Sequence, residues 1–140
     1  MGLSFKWAGQ SYAFAYGTIS DIADLMEQVG LPEYAKEYEK ILGAVYLDKD
    51  IVKPSEVAAL NKILKSALIR IEEEQKVKGL LMSHNERVTY EKSLKDFAEG
   101  RWHSKEKPRP EHFASTPSSI RKMIEICEDA LNKNVPIELG

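Results

Sequence analysis

The sequence predicts a mostly α fold: a compact bundle of about five helices with an N-terminal β-hairpin. Three observations predict it. Apolar residues recur at helical spacing through most of residues 18–134. Capping and breaking residues such as Gly30, Pro32, Gly79, Ser83, Gly100 and Pro117 cut that stretch into helix-sized pieces. Only the residues before Gly17 alternate with the period of two that a strand requires. With 140 residues the chain has the length of one domain, 1–140. It divides into a hairpin (1–17), a helical core (18–100), a basic and aromatic loop (101–116) and a C-terminal helix (117–134).

In the hairpin, Phe5 and Trp7 share one face, and Tyr12, Phe14 and Tyr16 alternate with alanines after a turn at Gly9-Gln10. An isolated hairpin is marginal, so these five aromatics are expected to pack on helices. The first helix is expected to start at Ser20 as N-cap, with Asp21 and Asp24 at its positive end. Ile22, Leu25, Met26 and Val29 form its stripe and Gly30 its stop. Pro32 opens a second helix at its first turn, with Tyr34, Tyr38, Ile41, Leu42 and Val45 on the apolar side.

A polar connection from Asp48 to Pro54 leads to the longest helix, from near Ser55 to near Gly79. Its stripe is Val57, Leu60, Leu64, Ala67, Leu68 and Ile71, widened by Ile63 and Ile69, which makes it the expected centre of the bundle. Glu72/Lys76 and Glu74/Lys78 stand at the favourable i,i+4 spacing. Ser83 and Glu86 match a capping box. The helix that follows carries Val88, Tyr90, Leu94, Phe97 and Ala98 and stops at Gly100. Two prolines then break the pattern, with polyproline character around residues 107–110. The last helix has Thr116 as cap, Pro117 in its first turn, and the stripe Ile120, Met123, Ile124, Cys127, Ala130, Leu131.

Composition narrows the function classes. The balance of 20 Lys+Arg against 22 Asp+Glu excludes a histone-like binder. One cysteine excludes an internal disulfide framework and every multi-cysteine zinc site. No run suggests a signal peptide or membrane span, and Lys6 stands where N-myristoylation wants Ser or Thr, so the expectation is a cytoplasmic protein without membrane contact. The nucleophile-elbow, Walker and dinucleotide glycine motifs are missing. Asp48-x-Asp50 begins like a calcium loop but continues with Val52 and Lys53 where a ligand and the turn glycine belong. His84-x-Glu86 is read as a helix cap rather than half of a deaminase motif. His103 and His112 share the loop at a spacing too loose for zinc. Cys127 is read as a buried, inert thiol, with Glu125, Glu128 and Asp129 beside it. No metal, no cofactor and no catalytic residue are therefore expected.

Two surface features stand out. Residues 20–39 hold six carboxylates against Lys36 alone, with Glu33, Tyr34, Glu37 and Tyr38 in two i,i+4 rows. Glu27, Glu33, Tyr34, Glu37, Tyr38 and Glu39 are the expected partner-binding residues, the acids steering and the rings anchoring. The competing reading is a solvated acidic face with both tyrosines turned inward. Residues 76–109 set nine cations against five acids. There Arg101, Trp102, His103, Lys105, Lys107 and Arg109 form a secondary basic site that could stack a base and neutralise phosphates, or else belong to an ordinary charged loop anchored by Trp102.

The run Leu25-Met26-Glu27-Gln28-Val29-Gly30-Leu31-Pro32-Glu33-Tyr34-Ala35 resembles the first-helix signature of SAM interaction domains. The later acidic-leucine and Leu-Gly-Ile elements do not follow, so the resemblance implies no more than a capped helix pair.

The leading expectation is a non-catalytic protein-binding module. An inhibitor or immunity-type protein, or a phage or mobile-element accessory factor, docking on a basic partner such as a toxin or nuclease, fits the acidic face. A nucleic-acid module using the basic flank is the alternative. An enzyme with a dispersed His/carboxylate site ranks lower. A homodimer through the strand edges of the hairpin is a further expectation.

Overall fold

The computed structural model describes residues 2–43 and 50–140; the expectations for Val45 and Asp48 lie outside them. Five helices and four strands follow in the order β1 (Gly2–Trp7), β2 (Gln10–Ala15), α1 (Tyr16–Gln28), α2 (Pro32–Leu42), β3 (Ile51–Val52), α3 (Pro54–Lys78), α4 (His84–Ala98), α5 (Thr116–Asn132) and β4 (Ile137–Leu139). The mostly α class with an N-terminal antiparallel strand pair is observed. Among the described residues no helix is long and apolar enough to cross a membrane.

The hairpin turns at Ala8-Gly9, one residue earlier than expected, with φ of 48° and 76°. Two successive positive φ values match the twist of a two-residue hairpin loop. The hairpin is also not free-standing. β4 returns antiparallel beside β1, and β3 pairs with β4, so the sheet runs β2-β1-β4-β3. Both added strands escaped the sequence pattern because strands of two and three residues are too short to display a period. Phe5, Trp7, Phe14, Val52, Ile137 and Leu139 are buried from this sheet. Phe5 and Phe14 meet edge-on with ring centroids 5.0 Å apart. Tyr12 and Tyr16 remain exposed, contrary to the expectation that all five aromatics pack inward.

α1 begins at Tyr16 rather than after Ser20. The Ser20 hydroxyl donates to the Gly17 carbonyl instead of capping. The helix does stop at Gly30, whose φ of 81° only glycine adopts without strain. The amide of Leu31 reaches back to the Met26 carbonyl at 2.8 Å, closing the end. In α2, Ala35, Tyr38, Ile41 and Leu42 are buried. Tyr34, expected on that apolar side, is exposed. Tyr38 is wholly buried, and its hydroxyl donates to the Ile19 carbonyl at 3.0 Å, which ties α2 to α1.

α3 is central, as its stripe predicted: Val57, Leu60, Ile63, Leu64, Ala67 and Ile71 are buried. Its principal partner is α5, which buries Ile120, Met123, Ile126, Cys127 and Ala130. Ile126 takes a core place that the expected stripe had omitted, and Ile69 on α3 is 60% exposed where burial was expected. Of the two expected pairs on α3, Lys78 meets Glu74 at 3.1 Å, whereas Glu72 is drawn across to Arg121 on α5. The Trp7 indole donates to the Asp129 carboxylate on α5 at 2.7 Å, locking the sheet to the bundle. That bond, together with Lys133, holds the Asp129 pKa below the usual carboxylate value. The tie is therefore present above the ordinary carboxylate range and is lost as pH falls through the lowered pKa.

Because Leu64 is fully buried at the α3 centre, Leu64→Ala should cost about 2–5 kcal/mol of stability. Urea unfolding followed by far-UV circular dichroism measures it.

Candidate functional site

Helix α4 departs most from its sequence pattern. Its apolar residues do not enter the core: Val88 is 50% exposed, and the only buried side chains are Glu86 and Ser93. Polar contacts hold it instead. Ser83 caps the helix, and Glu86 completes the expected box by accepting from the Ser83 amide at 2.9 Å. The other Glu86 oxygen accepts from the amides of Ser115 and Thr116 at 2.7 and 3.1 Å, at the start of α5. One buried carboxylate thus sits at two helix N-termini, where unpaired N–H groups and both helix dipoles favour a negative charge.

Asp21 and Asp24 of α1, expected at their own helix start, serve α4 instead. Asp21 accepts from the Ser83 hydroxyl at 2.9 Å and from the Asn85 side chain. Asp24 accepts from the His84 amide at 2.7 Å. Partial burial raises the Asp21 pKa, with the two side-chain hydrogen bonds opposing that rise.

The Glu86 contacts fix the α5 end of the segment joining α4 to α5, and a separate set fixes its α4 end. At the α4 end, Gly100 turns the chain with φ 77°. The Arg101 amide bonds the Asp96 carbonyl, and the guanidinium pairs with Asp96 and Glu99. Arg101 is therefore a structural anchor, not one of the free cations of the expected basic site. At the α5 end, a single 3-10 turn at Pro110–His112 precedes Phe113, whose ring lies 5.4 Å from that of Tyr90 on α4. Pro108 is buried beneath the loop.

The segment encloses a recess of about 310 Å³ lined by Trp102, His103, Lys107, Arg109, His112 and Phe113, together with Glu106. Trp102 is half-buried and lies against His103 with ring centroids 4.3 Å apart and planes tilted by 44°. Continuous with the recess is an open groove of about 910 Å³, where Tyr90 and Glu111 join Glu106, Lys107, Arg109 and His112. Lys105, Lys107 and Arg109 are exposed and make no ion pair with any described residue. Trp102, His103, Lys107 and Arg109 of the expected basic site thus converge, and His112, Tyr90 and Phe113 join them, whereas Lys105 lines neither recess. Tyr90 was expected only as one of the residues carried by the fourth helix; Pro108 and Pro110 on either side of Arg109 are the sequence signal that the loop is stiff.

The acidic face is reduced. Glu27, Glu33, Tyr34, Glu37 and Glu39 are exposed, and Glu33 pairs with Lys36 at 3.7 Å. Tyr38 is no contact residue, because its ring fills the core. The surface left is a convex helix with a single ring. Another recess, of about 440 Å³ beside the β1–β2 turn, carries opposed charges, Lys6 and Glu138, which are partners across β1 and β4.

His103 and His112 line one recess, yet among the described residues no three His, Cys, Asp or Glu side chains gather as a metal set. Cys127 is buried on α5, and burial first, then Glu128, pushes its thiol up to about 12. Comparison with protein-family models, curated proteins and solved structures found no match to this chain.

Two outcomes follow. Glu86→Gln removes the charge and turns an amide N–H₂ against main-chain donors, so it should cost on the order of 3 kcal/mol, read from chemical denaturation. Cys127 should resist a thiol-disulfide reagent at pH 8 and react only once denaturant unfolds the chain.

Proposed function

We propose that this chain is a non-catalytic binding module whose principal contact is the recess between α4 and α5, and that its ligand is single-stranded nucleic acid. This raises the alternative of the sequence reading above its first choice. The observation that carries the proposal is the convergence of Lys107 and Arg109, which make no ion pair with a described residue, with Trp102 and His112 around one concavity that Glu106 also lines.

The chemistry needed is simple. A splayed base offers a flat π face, and Trp102 supplies a ring at the recess. The adjoining phosphates need positive charge and hydrogen-bond donors, which Lys107 and Arg109 supply. His112 adds a ring and an imidazole hydrogen-bonding group to the same wall. A recess of about 310 Å³ suits an extruded nucleotide rather than a duplex. Prolines and the Glu86 clamp hold the loop in advance, which lowers the entropic cost of binding. With so few cations and a net charge of −2, affinity is modest and strongly salt-dependent.

A second reading keeps the acidic helix face as a protein-docking surface. It is favoured by Glu27, Glu37 and Glu39, which are exposed and make no ion pair with a described residue. Inhibitors and immunity-type proteins that neutralise a basic partner belong under this reading.

Fluorescence anisotropy with a labelled single-stranded oligonucleotide separates the two. Binding should weaken with salt at a log–log slope of about −2, the release expected for two or three phosphate contacts. The Lys107→Glu/Arg109→Glu pair should abolish it. Trp102→Ala should weaken it by roughly tenfold or more, the size of one lost base stack. Glu33→Lys/Glu37→Lys should leave both melting temperature and oligonucleotide affinity nearly unchanged. Salt-independent binding, or binding that survives the Lys107/Arg109 reversal, overturns the proposal.

A further inference from the structure

The sheet has two outer edges, and they differ. β3 is two residues long, which is how sheets commonly blunt an edge. β2 is six residues long and holds no charged residue and no proline, so nothing in its sequence guards it against pairing.

The register shows which backbone groups this edge leaves free. Ser4 exchanges both main-chain hydrogen bonds with Gly140, on the β4 side of β1, at 2.9 and 3.0 Å. Successive residues of a strand send their N–H and C=O to opposite sides, so Phe5 addresses β2. Phe5 stands opposite Tyr12. Tyr12 therefore bonds inward, while Ser11 and Ala13 direct both polar groups away from β1. No turn, loop or side-chain hydrogen bond from the described residues reaches them. Beside this edge two large rings are left uncovered, Tyr12 at 40% and Tyr16 at 42% exposure.

We infer that a second copy of this chain pairs with β2, antiparallel, across a two-fold axis at Tyr12. That axis sets Ser11 opposite the partner's Ala13 and closes four main-chain hydrogen bonds, satisfying Ser11 and Ala13 in both copies. Small side chains at both positions leave the approach open. Tyr12 meets its counterpart as a non-hydrogen-bonded pair, the closer of the two antiparallel pairings. Tyr16 opens α1 directly after β2, so its exposed ring stands at the rim of the paired edge. This self-complementarity under one rotation is what selects a second copy over an unrelated strand. Lys122 caps the Tyr12 ring at 4.8 Å. Lys122 is itself paired with Glu125 at 4.0 Å, so pairing at the axis sets no lone charges against each other and salt changes the dimer little, whereas it weakens nucleic-acid binding.

Sedimentation velocity of the full chain over a wide concentration range tests this. A monomer–dimer equilibrium that added salt changes little is expected. Ala13→Lys, which places a guarding charge on the edge, and separately Tyr16→Ser should each weaken the dimer about tenfold or more. Tyr16→Ser is exposed and outside the core, so its melting temperature should hold even where Ala13→Lys perturbs the hairpin. A chain that stays monomeric at every concentration, alone or while binding an added extended peptide along β2, overturns the inference. So does a dimer that neither substitution weakens.

Discussion

The Glu86 carboxylate is the constraint from which the α4–α5 half of the molecule hangs. It is 8% exposed, and its two oxygens accept from Ser83 at the start of α4 and from Ser115 and Thr116 at the start of α5. Removing a carboxylate from water is costly, and several charge-assisted hydrogen bonds are needed to offset that cost. Two helix N-termini provide them at once. α4 buries no large apolar side chain, so this polar junction replaces the hydrophobic stripe that normally fastens a helix to its bundle.

That substitution explains how the surface charges divide their labour. Asp21 and Asp24 belong to the acidic stretch of residues 20–39, yet both are spent on the α4 terminus. The acidic face is correspondingly thinner than the sequence count implies. The basic loop changes the other way. Arg101 pairs with Asp96 and Glu99, while Lys107 and Arg109, which make no ion pair with a described residue, line a concave and partly aromatic surface. Charge already satisfied inside the chain has little left to offer a partner, and charge left over is what a partner can read.

Much of the architecture was legible because long helices repeat their signal. α3 shows its stripe over several turns, so its centrality, Gly79 stop and most of its buried residues follow from spacing alone. Ser83 and Glu86 announced a cap because that motif is local. Errors fell where one residue type serves two purposes. Tyr38 suits a docking face or a core with one carbonyl to bond, and the Ile19 carbonyl decided it. Asp21 and Asp24 suit a helix start, but the helix that needed them lies some sixty residues away. The short strands β3 and β4 carry too few residues for any period.

The sequence by itself therefore determined the helix count, the hairpin, the buried thiol and the two charged regions. Each is written in near-neighbour spacing, capping or composition. Tertiary structure alone decided that the hairpin joins a four-stranded sheet and that Tyr38 is core. It also decided that one carboxylate clamps two helices and that Trp102, Lys107, Arg109 and His112 face a common recess. These outcomes depend on contacts between distant parts of the chain, and a hydrogen bond or a shared cavity leaves no periodic trace in the sequences that meet there.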